Sequence, residues 1–222
     1  MTLHLSRLDV AVTTMSNRNS FASVVRFAII PMALLSWLTA ATAQAAEVTG
    51  SVVDAESGNA IPCRLYIQNL DTREWHFAKS ADAVGSAVEY RKQVVATASV
   101  EIHTTLSAAE FVAQLAPGRY RIRAEHGKEF IPAETEISVT TQPLQFQLAL
   151  RRFANMGKQG WYSGDTHVHR NMADLPNVVM AEDLNVALPL NYWVRDSREI
   201  PSASGPTMDA HPISIDATHL IY

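Results

Sequence analysis

The sequence predicts an all-β sandwich followed by a shorter α/β segment, both behind an amino-terminal export signal. Three observations carry this prediction. Short runs of alternating apolar and polar residues, separated by Gly, Pro, Asn and Asp, fill residues 46–150. After Arg152 the alternation gives way to a run rich in Asp and His and then to a helical pattern. Residues 27–46 are uncharged and largely apolar.

The composition is that of a globular protein. Hydrophobic residues make up 47% of the 222 residues and charged residues 18%, which excludes a disordered or collagen-like chain. The net charge is -4, so no strongly basic surface is expected and nucleic acid is not an expected partner. The single cysteine, Cys63, excludes a disulfide framework. Alternation places Cys63 on one face with Leu65 and Ile67, which predicts a buried residue.

The amino terminus has the order of parts of a signal peptide. Arg18 and Arg26 precede the apolar stretch, which ends at the small residues 43–45 (Ala-Gln-Ala). A membrane-spanning helix needs about 20 mostly apolar residues, and here Pro31 interrupts a shorter run. We therefore expect residues 1–45 to be a cleaved signal peptide. The mature chain would be periplasmic or secreted, with no stable membrane anchor.

Residues 46–152 are predicted to form the sandwich, because short strands at regular spacing are typical of that fold. Ser107, with Glu110 at the capping-box position, predicts a helical turn over residues 107–115. His76, His103 and His126 occur singly, and we expect them at the surface or on edge strands. The predicted strands cover residues 47–53, 61–68, 94–103, 119–125, 136–140 and 144–150.

Residues 153–160 are interpreted as a linker, and residues 161–222 contain the strongest chemical pattern. If residues 162–169 form a strand, Asp165, His167 and His169 project from one face. Imidazole with carboxylate suits Zn, Fe, Mn or Ni and disfavours Ca or Mg. A bare His-x-His is as often structural as metal-binding, but the aspartate on the same face favours a metal site.

Two stretches resemble known families. Residues 50–54 with Gly58, and residues 117–122, resemble the carboxypeptidase regulatory-like (transthyretin-like) domain, which implies a structural or docking module. The motif Trp161-x-x-Gly-Asp-x-His-x-His169 resembles the first motif of the PHP superfamily of metal-dependent hydrolases, most closely its CehA/McbA branch. For the second part of the chain, this resemblance implies the start of a β/α barrel.

The PHP resemblance also implies a function. His167 and His169 would ligate divalent metal ions (Zn, Mn or Fe), and Asp165 would orient a ligand or be one itself. The metals would activate water for hydrolysis of a small-molecule phosphoester or related ester or carbamate. No catalytic side chain is assigned, and His211 and His219 also stay unassigned.

The pattern departs from the family in two respects. Asn191, Tyr192 and Trp193 occupy the place of a family ligand pair, and we expect them to line a pocket. About 70 residues follow Leu150, whereas a β/α barrel takes about 200–250. We therefore expect a fragment that is inactive alone. The alternative function is a non-catalytic periplasmic β-sandwich module with a binding or structural role.

Overall fold

The computed structural model describes residues 44–94, 99–190, 192–193, 202–203 and 211–222. The predicted signal peptide lies outside these residues, apart from its last two positions. The described residues fall within one compact unit, residues 41–222. In this part of the chain, no helix is long and apolar enough to cross a membrane.

Eleven strands among the described residues build a sandwich of two sheets. The first sheet has the order β4-β7-β1-β11-β9, in which β1 and β11 are parallel. The second has the order β10-β8-β2-β6-β5, with β3 paired to β2. The strands are β1 (Ala46–Asp54), β2 (Cys63–Asn69), β3 (Trp75–His76), β4 (Lys79–Ser80), β5 (Ala87–Val94), β6 (Ser99–Leu106), β7 (Phe111–Leu115), β8 (Gly118–Glu125), β9 (Phe130–Ile131), β10 (Ala133–Val139) and β11 (Leu144–Arg152).

Alternation along the strands fills the core between the two sheets. In β2, Cys63, Leu65 and Ile67 are buried while the residues between them are half-buried. Tyr120 of β8 is also fully buried, and its hydroxyl donates a hydrogen bond to the Ala116 carbonyl at 2.9 Å. The prediction of a buried Cys63 is confirmed, and so is the prediction of a mainly β chain with a sandwich.

Three local predictions in the sandwich are wrong. Residues 111–115 form strand β7 instead of a helical turn, because pairing with β1 buries Phe111 and Leu115 on the core side. The predicted strand over residues 94–103 is divided between β5 and β6, which pair antiparallel with each other. His103 and His126 are buried rather than at the surface.

In its described residues, the segment after the sandwich contains a short 3-10 helix (Gly157–Gln159) and one α-helix. Its elements are β12 (Gly164–Val168), α1 (Leu175–Ala181), β13 (Val186–Pro189), β14 (Tyr192–Trp193), β15 (Ser202–Ala203), β16 (Ile213–Ser214) and β17 (Leu220–Ile221). Strands β12, β13 and β17 run parallel in an open sheet of order β12-β13-β17-β16. Leu175 and Val179 of α1 are fully buried against this sheet. Nothing in the described part of this segment identifies it as the start of a barrel.

The segment docks on the sandwich through the turn that follows α1. The backbone N–H of Gly127 donates to the Ala181 carbonyl at 3.1 Å, and Arg64 pairs with Glu182 at 3.1 Å. A Cβ on Gly127 would lie 2.5 Å from the Cβ of Asp183, so the two backbones approach closely. We call this contact between residues 126–127 and residues 181–183 the joint.

Candidate functional site

The two histidines of the predicted motif lie side by side. His167 is on β12 and His169 follows its end, and both are exposed. Their Nε2 atoms are 2.8 Å apart and their ring centroids 4.6 Å apart. The structure therefore brings together the two imidazoles that the His-x-His spacing singled out.

Asp165 lies on the same strand and makes a local contact. Its Oδ1 accepts a hydrogen bond from the backbone N–H of His167 at 2.9 Å. The carboxylate therefore fixes the backbone of β12 beside the histidine pair.

The predicted pocket residues lie largely outside the described part. Asn191 is not among the described residues. The backbones of Tyr192 and Trp193 form β14, which pairs with Ala203 and Ser202 of β15. Their side chains are not described, so this prediction stays open.

The described residues do not assemble the metal cluster that the PHP resemblance implied. Within these ranges, no group of three or more His, Cys, Asp or Glu side chains is placed to hold a metal ion. A structural zinc site takes four ligands, and catalytic sites take three from the protein. Two histidines with one backbone-bonded carboxylate fall short of either set.

The structure also contains a cleft that the sequence did not predict. It has a volume of about 860 Å³ and lies between the end of the sandwich and the following segment. Four large apolar side chains line it and stay exposed: Phe153 at 61%, Met156 at 38%, Trp161 at 68% and Tyr162 at 67%. We call this the aromatic cleft.

The carboxylates that line the aromatic cleft are all held in ion pairs. Arg152 pairs with both Glu129 and Asp183, the latter between Nη2 and Oδ2 at 3.1 Å. The third carboxylate, Glu182, pairs with Arg64 at 3.1 Å. Lys128 and Lys158 also line the cleft, so three acidic side chains face three basic ones there.

One imidazole completes the lining. His219 is buried, and its Nδ1 lies 2.8 Å from Oδ1 of Asp216. Its Nε2 lies 3.5 Å from Oδ1 of Asp183. The Asp216 carboxylate also accepts the backbone N–H groups of Thr218 and His219, which fixes the approach to β17.

Sequence reasoning missed the cleft because it treated residues 153–160 as a linker. The available signal was the density of large apolar side chains around a stretch of turn residues. Phe153, Met156, Trp161 and Tyr162 fall within ten positions, and no strand or helix periodicity accounts for them. A cluster of exposed apolar side chains marks an interaction site more often than a linker does.

Comparisons with known proteins give no family. No family model matches the chain, and no curated protein matches it. Among solved structures, a Bacteroides uniformis protein described as carbohydrate-binding is 14% identical, with 48% of this chain and 41% of that one covered and a TM-score of 0.31. A minor pilin of Streptococcus agalactiae is 14% identical, covering 50% and 46%, with a TM-score of 0.34.

A pilus 2b backbone protein of group B streptococcus is 9% identical, with 49% of this chain and 41% of that one covered and a TM-score of 0.29. This chain therefore spans less than half the length of each of the three structures. At such TM-scores, the likenesses support no argument about function.

These findings correct the family assignments that were inferred from the resemblance to the PHP hydrolases and to the regulatory-like domain. No family model and no curated protein supports either family, and the three reported solved structures are described as a carbohydrate-binding protein and two pilus proteins. The described part of the chain also lacks a three-ligand metal group. The prediction of a PHP-type metal-dependent hydrolase is therefore wrong. It depended on one short motif, which does not by itself supply the remaining ligands.

Proposed function

We propose that the chain is an exported, non-catalytic β-sandwich module that binds a neutral carbohydrate in the aromatic cleft. The observation that carries the proposal is the exposure of Phe153, Trp161 and Tyr162 in one concave site of about 860 Å³. Exposed aromatic side chains grouped in a cleft are typical of ligand-binding sites.

The chemistry of the lining supports a sugar as the ligand. A sugar ring offers apolar C–H faces to aromatic rings and hydroxyl groups to polar side chains, and Trp and Tyr combine an apolar body with a polar atom. Asn155 and Ser163 add amide and hydroxyl groups to the lining. Because the lining acids and bases are balanced, the cleft favours an uncharged ligand.

The absence of catalysis in this proposal is supported by the ion pairs. A general acid or base must be able to exchange a proton with the substrate. Glu129, Glu182 and Asp183 each pair with an arginine instead. The ester substrate was expected only through the hydrolase resemblance, and carbohydrate takes its place here.

Export is part of the proposal. The signal pattern of residues 1–45 supports it, and β1 begins at Ala46, directly after the expected cleavage point. A mature protein that starts at the first residue of a sandwich strand loses no part of the described fold. The proposed location is the periplasm or the exterior of the cell.

A second candidate function is weak binding of a divalent metal ion by His167 and His169. The 2.8 Å separation of their Nε2 atoms favours it. Two imidazole nitrogens that ligate one zinc ion tetrahedrally at about 2.0–2.1 Å lie about 3.3 Å apart, so the pair would open by about half an ångström on binding. The residues fit a two-ligand site, in which the remaining positions would be filled by water or by a ligand.

The carbohydrate proposal is tested by isothermal titration with neutral hexasaccharides of glucose, xylose and mannose. We expect one of them to bind, and Trp161→Ala and Tyr162→Ala to weaken that binding at least about tenfold, or about 1.4 kcal/mol. Tyr222→Ala is the matched control, because Tyr222 is 65% exposed and does not line the cleft. Equal loss in the Tyr222 variant, or binding unchanged in both cleft variants, would overturn the proposal.

A further inference from the structure

Two buried histidines of the sandwich face the segment that docks on it. His103 of β6 is 1% exposed and His126, which follows β8, is 6% exposed. The Nδ1 atoms of both rings are buried and have no hydrogen-bond partner among the described residues. A buried imidazole of this kind is stable when neutral and costly to charge.

His103 lies under the part of the segment that follows β12. Its Nδ1 is 3.7 Å from Oε1 of Glu101, and Arg64 and Arg170 are the nearby cations. Burial, together with the smaller effects of the Arg64 and Arg170 charges, lowers the pKa of His103 to about 4. Two tyrosine rings complete its surroundings: Tyr66, with its centroid at 5.2 Å, and Tyr90, at 5.1 Å.

The segment contacts this group directly. The guanidinium of Arg170 stacks over the Tyr90 ring at 3.8 Å. Helix α1 packs against β6, and the Asn177 amide donates to the Thr105 carbonyl at 2.8 Å. The segment therefore packs on residues that surround His103.

His126 belongs to the joint itself. Its Nε2 is 3.9 Å from Oδ1 of Asp183, and the Phe130 ring covers it with a centroid distance of 4.7 Å. Burial lowers the pKa of His126; Asp183 opposes this and Arg152 adds to it. Backbone hydrogen bonds with Pro62 and Ala181, like the charge of Asp183, raise the pKa of His126 and so offset part of this lowering.

Further charged groups act on His126 indirectly, because they are linked to Asp183. Arg152 shares the Asp183 carboxylate and is itself paired with Glu129. His219, which precedes β17, lies 3.5 Å from Asp183 and is itself paired with Asp216. Since Asp183 already has a full cation in Arg152, it compensates only part of a second charge on His126.

We propose that the docking of residues 161–190 on the sandwich is acid-labile, with His103 and His126 as the two proton-sensing groups. Charging either ring in its present surroundings requires water, and water reaches both rings once the segment separates from the sandwich. Separation also opens the aromatic cleft, which residues of both parts line. Any effect on ligand release rests on the proposed function; the undocking itself does not.

The direction of the pH effect follows from the lowered pKa values. An imidazole that is harder to protonate when docked stabilises the docked state fully above about pH 6.5, its ordinary pKa. That contribution is lost as the pH falls from about 6.5 towards 4, where His103 titrates in the docked state. The segment therefore loosens on mild acidification.

Hydrogen-exchange protection factors at pH 7.5 and pH 4.5, on the whole chain without ligand, test this proposal. The probe is the Gly127 N–H, which bonds the Ala181 carbonyl across the joint. The internal reference is the set of amides of central strand β2. We expect Gly127 protection to fall about tenfold or more at pH 4.5 while β2 keeps its protection, since one unit of pKa lowering corresponds to a factor of ten.

Variants assign the effect to the two rings. His103→Gln and His126→Gln, singly and together, should reduce the pH dependence at Gly127. His76→Gln is the matched control, because burial also lowers the pKa of His76 but its ring lies beside Tyr120 within the sandwich. An unchanged Gly127 protection in the native chain between the two pH values would overturn the proposal. So would a pH dependence that survives at full size in the double variant.

Discussion

Arg152 and Asp183 form an ion pair, with Nη2 3.1 Å from Oδ2, that joins the last strand of the sandwich to the turn after α1. Both side chains are largely buried, with 26% and 20% of their surfaces exposed. Asp183 has a φ of 51°, a left-handed conformation that few non-glycine residues adopt. The pair thus holds the carboxylate of a locally strained turn against the sandwich.

Replacing Asp183 tests this relationship. Asp183→Ala should lower the free energy of unfolding by about 2–3 kcal/mol, because Arg152 loses a partner and alanine tolerates a left-handed backbone poorly. Asp183→Gly loses the same partner without the strain and should cost about 1 kcal/mol less than alanine. Urea denaturation measures both. Equal stabilities of the alanine variant and the native chain would contradict the role given to the pair.

Gly127 provides an independent test of the close approach in the joint. Gly127→Ala should destabilise the chain by about 2–4 kcal/mol, because its Cβ would lie 2.5 Å from that of Asp183 and its φ is 50°. Gly58→Ala is the control: its φ is 72°, but nothing lies within 4 Å of the new Cβ. We expect the control to cost only about 1 kcal/mol, from backbone strain. Thermal unfolding measures both variants. Equal stability of the two would contradict the close approach of Gly127 to Asp183.

The Cys63 thiol should be inert in the folded chain. It is 1% exposed, and burial raises its pKa to about 12, so almost no thiolate is present at pH 8. A thiol-reactive disulfide reagent should modify Cys63 at pH 8 only after the chain is unfolded in denaturant. Rapid modification of the native chain would show that the sheet opens around β2.

Metal binding by the histidine pair stays a prediction, and its expected affinity can be stated. We expect zinc to bind with micromolar or weaker affinity, since two imidazoles supply half of a tetrahedral set. His167→Ala and His169→Ala should each abolish it, whereas His211→Ala, at an exposed position outside β12, should not. Calorimetric titration with zinc measures all four proteins. Binding that survives in the His167 variant would place the ion elsewhere.

The sandwich could be predicted because its strands alternate. Leu65 and Ile67 point into the core at period two, and this pattern is local to β2. Strand β7 could not be predicted in the same way, since Ser107 and Glu110 imitate a helix cap. Its conformation is set by pairing with β1, a contact between residues more than sixty positions apart.

The same difference between local and long-range contacts decides which parts of the candidate site could be predicted. His167 and His169 could be placed together from their spacing alone, because both are near β12. The aromatic cleft could not, because Phe153, Asp183 and His219 meet only through the docking of the segment. The functional assignment failed for a related reason. A motif of nine residues, from Trp161 to His169, can recur without the ligands that its family gathers from other strands.

The central claim, that the aromatic cleft binds a neutral carbohydrate, is tested most directly by locating a bound oligosaccharide. Amide and indole shifts of the isotope-labelled chain would be followed by NMR during titration with the hexasaccharide that binds in calorimetry. We predict that the largest shifts fall on Phe153, Trp161 and Tyr162, with Tyr222 unaffected. Binding whose shifts lie entirely outside the cleft, or no binding by any neutral hexasaccharide, would contradict the claim.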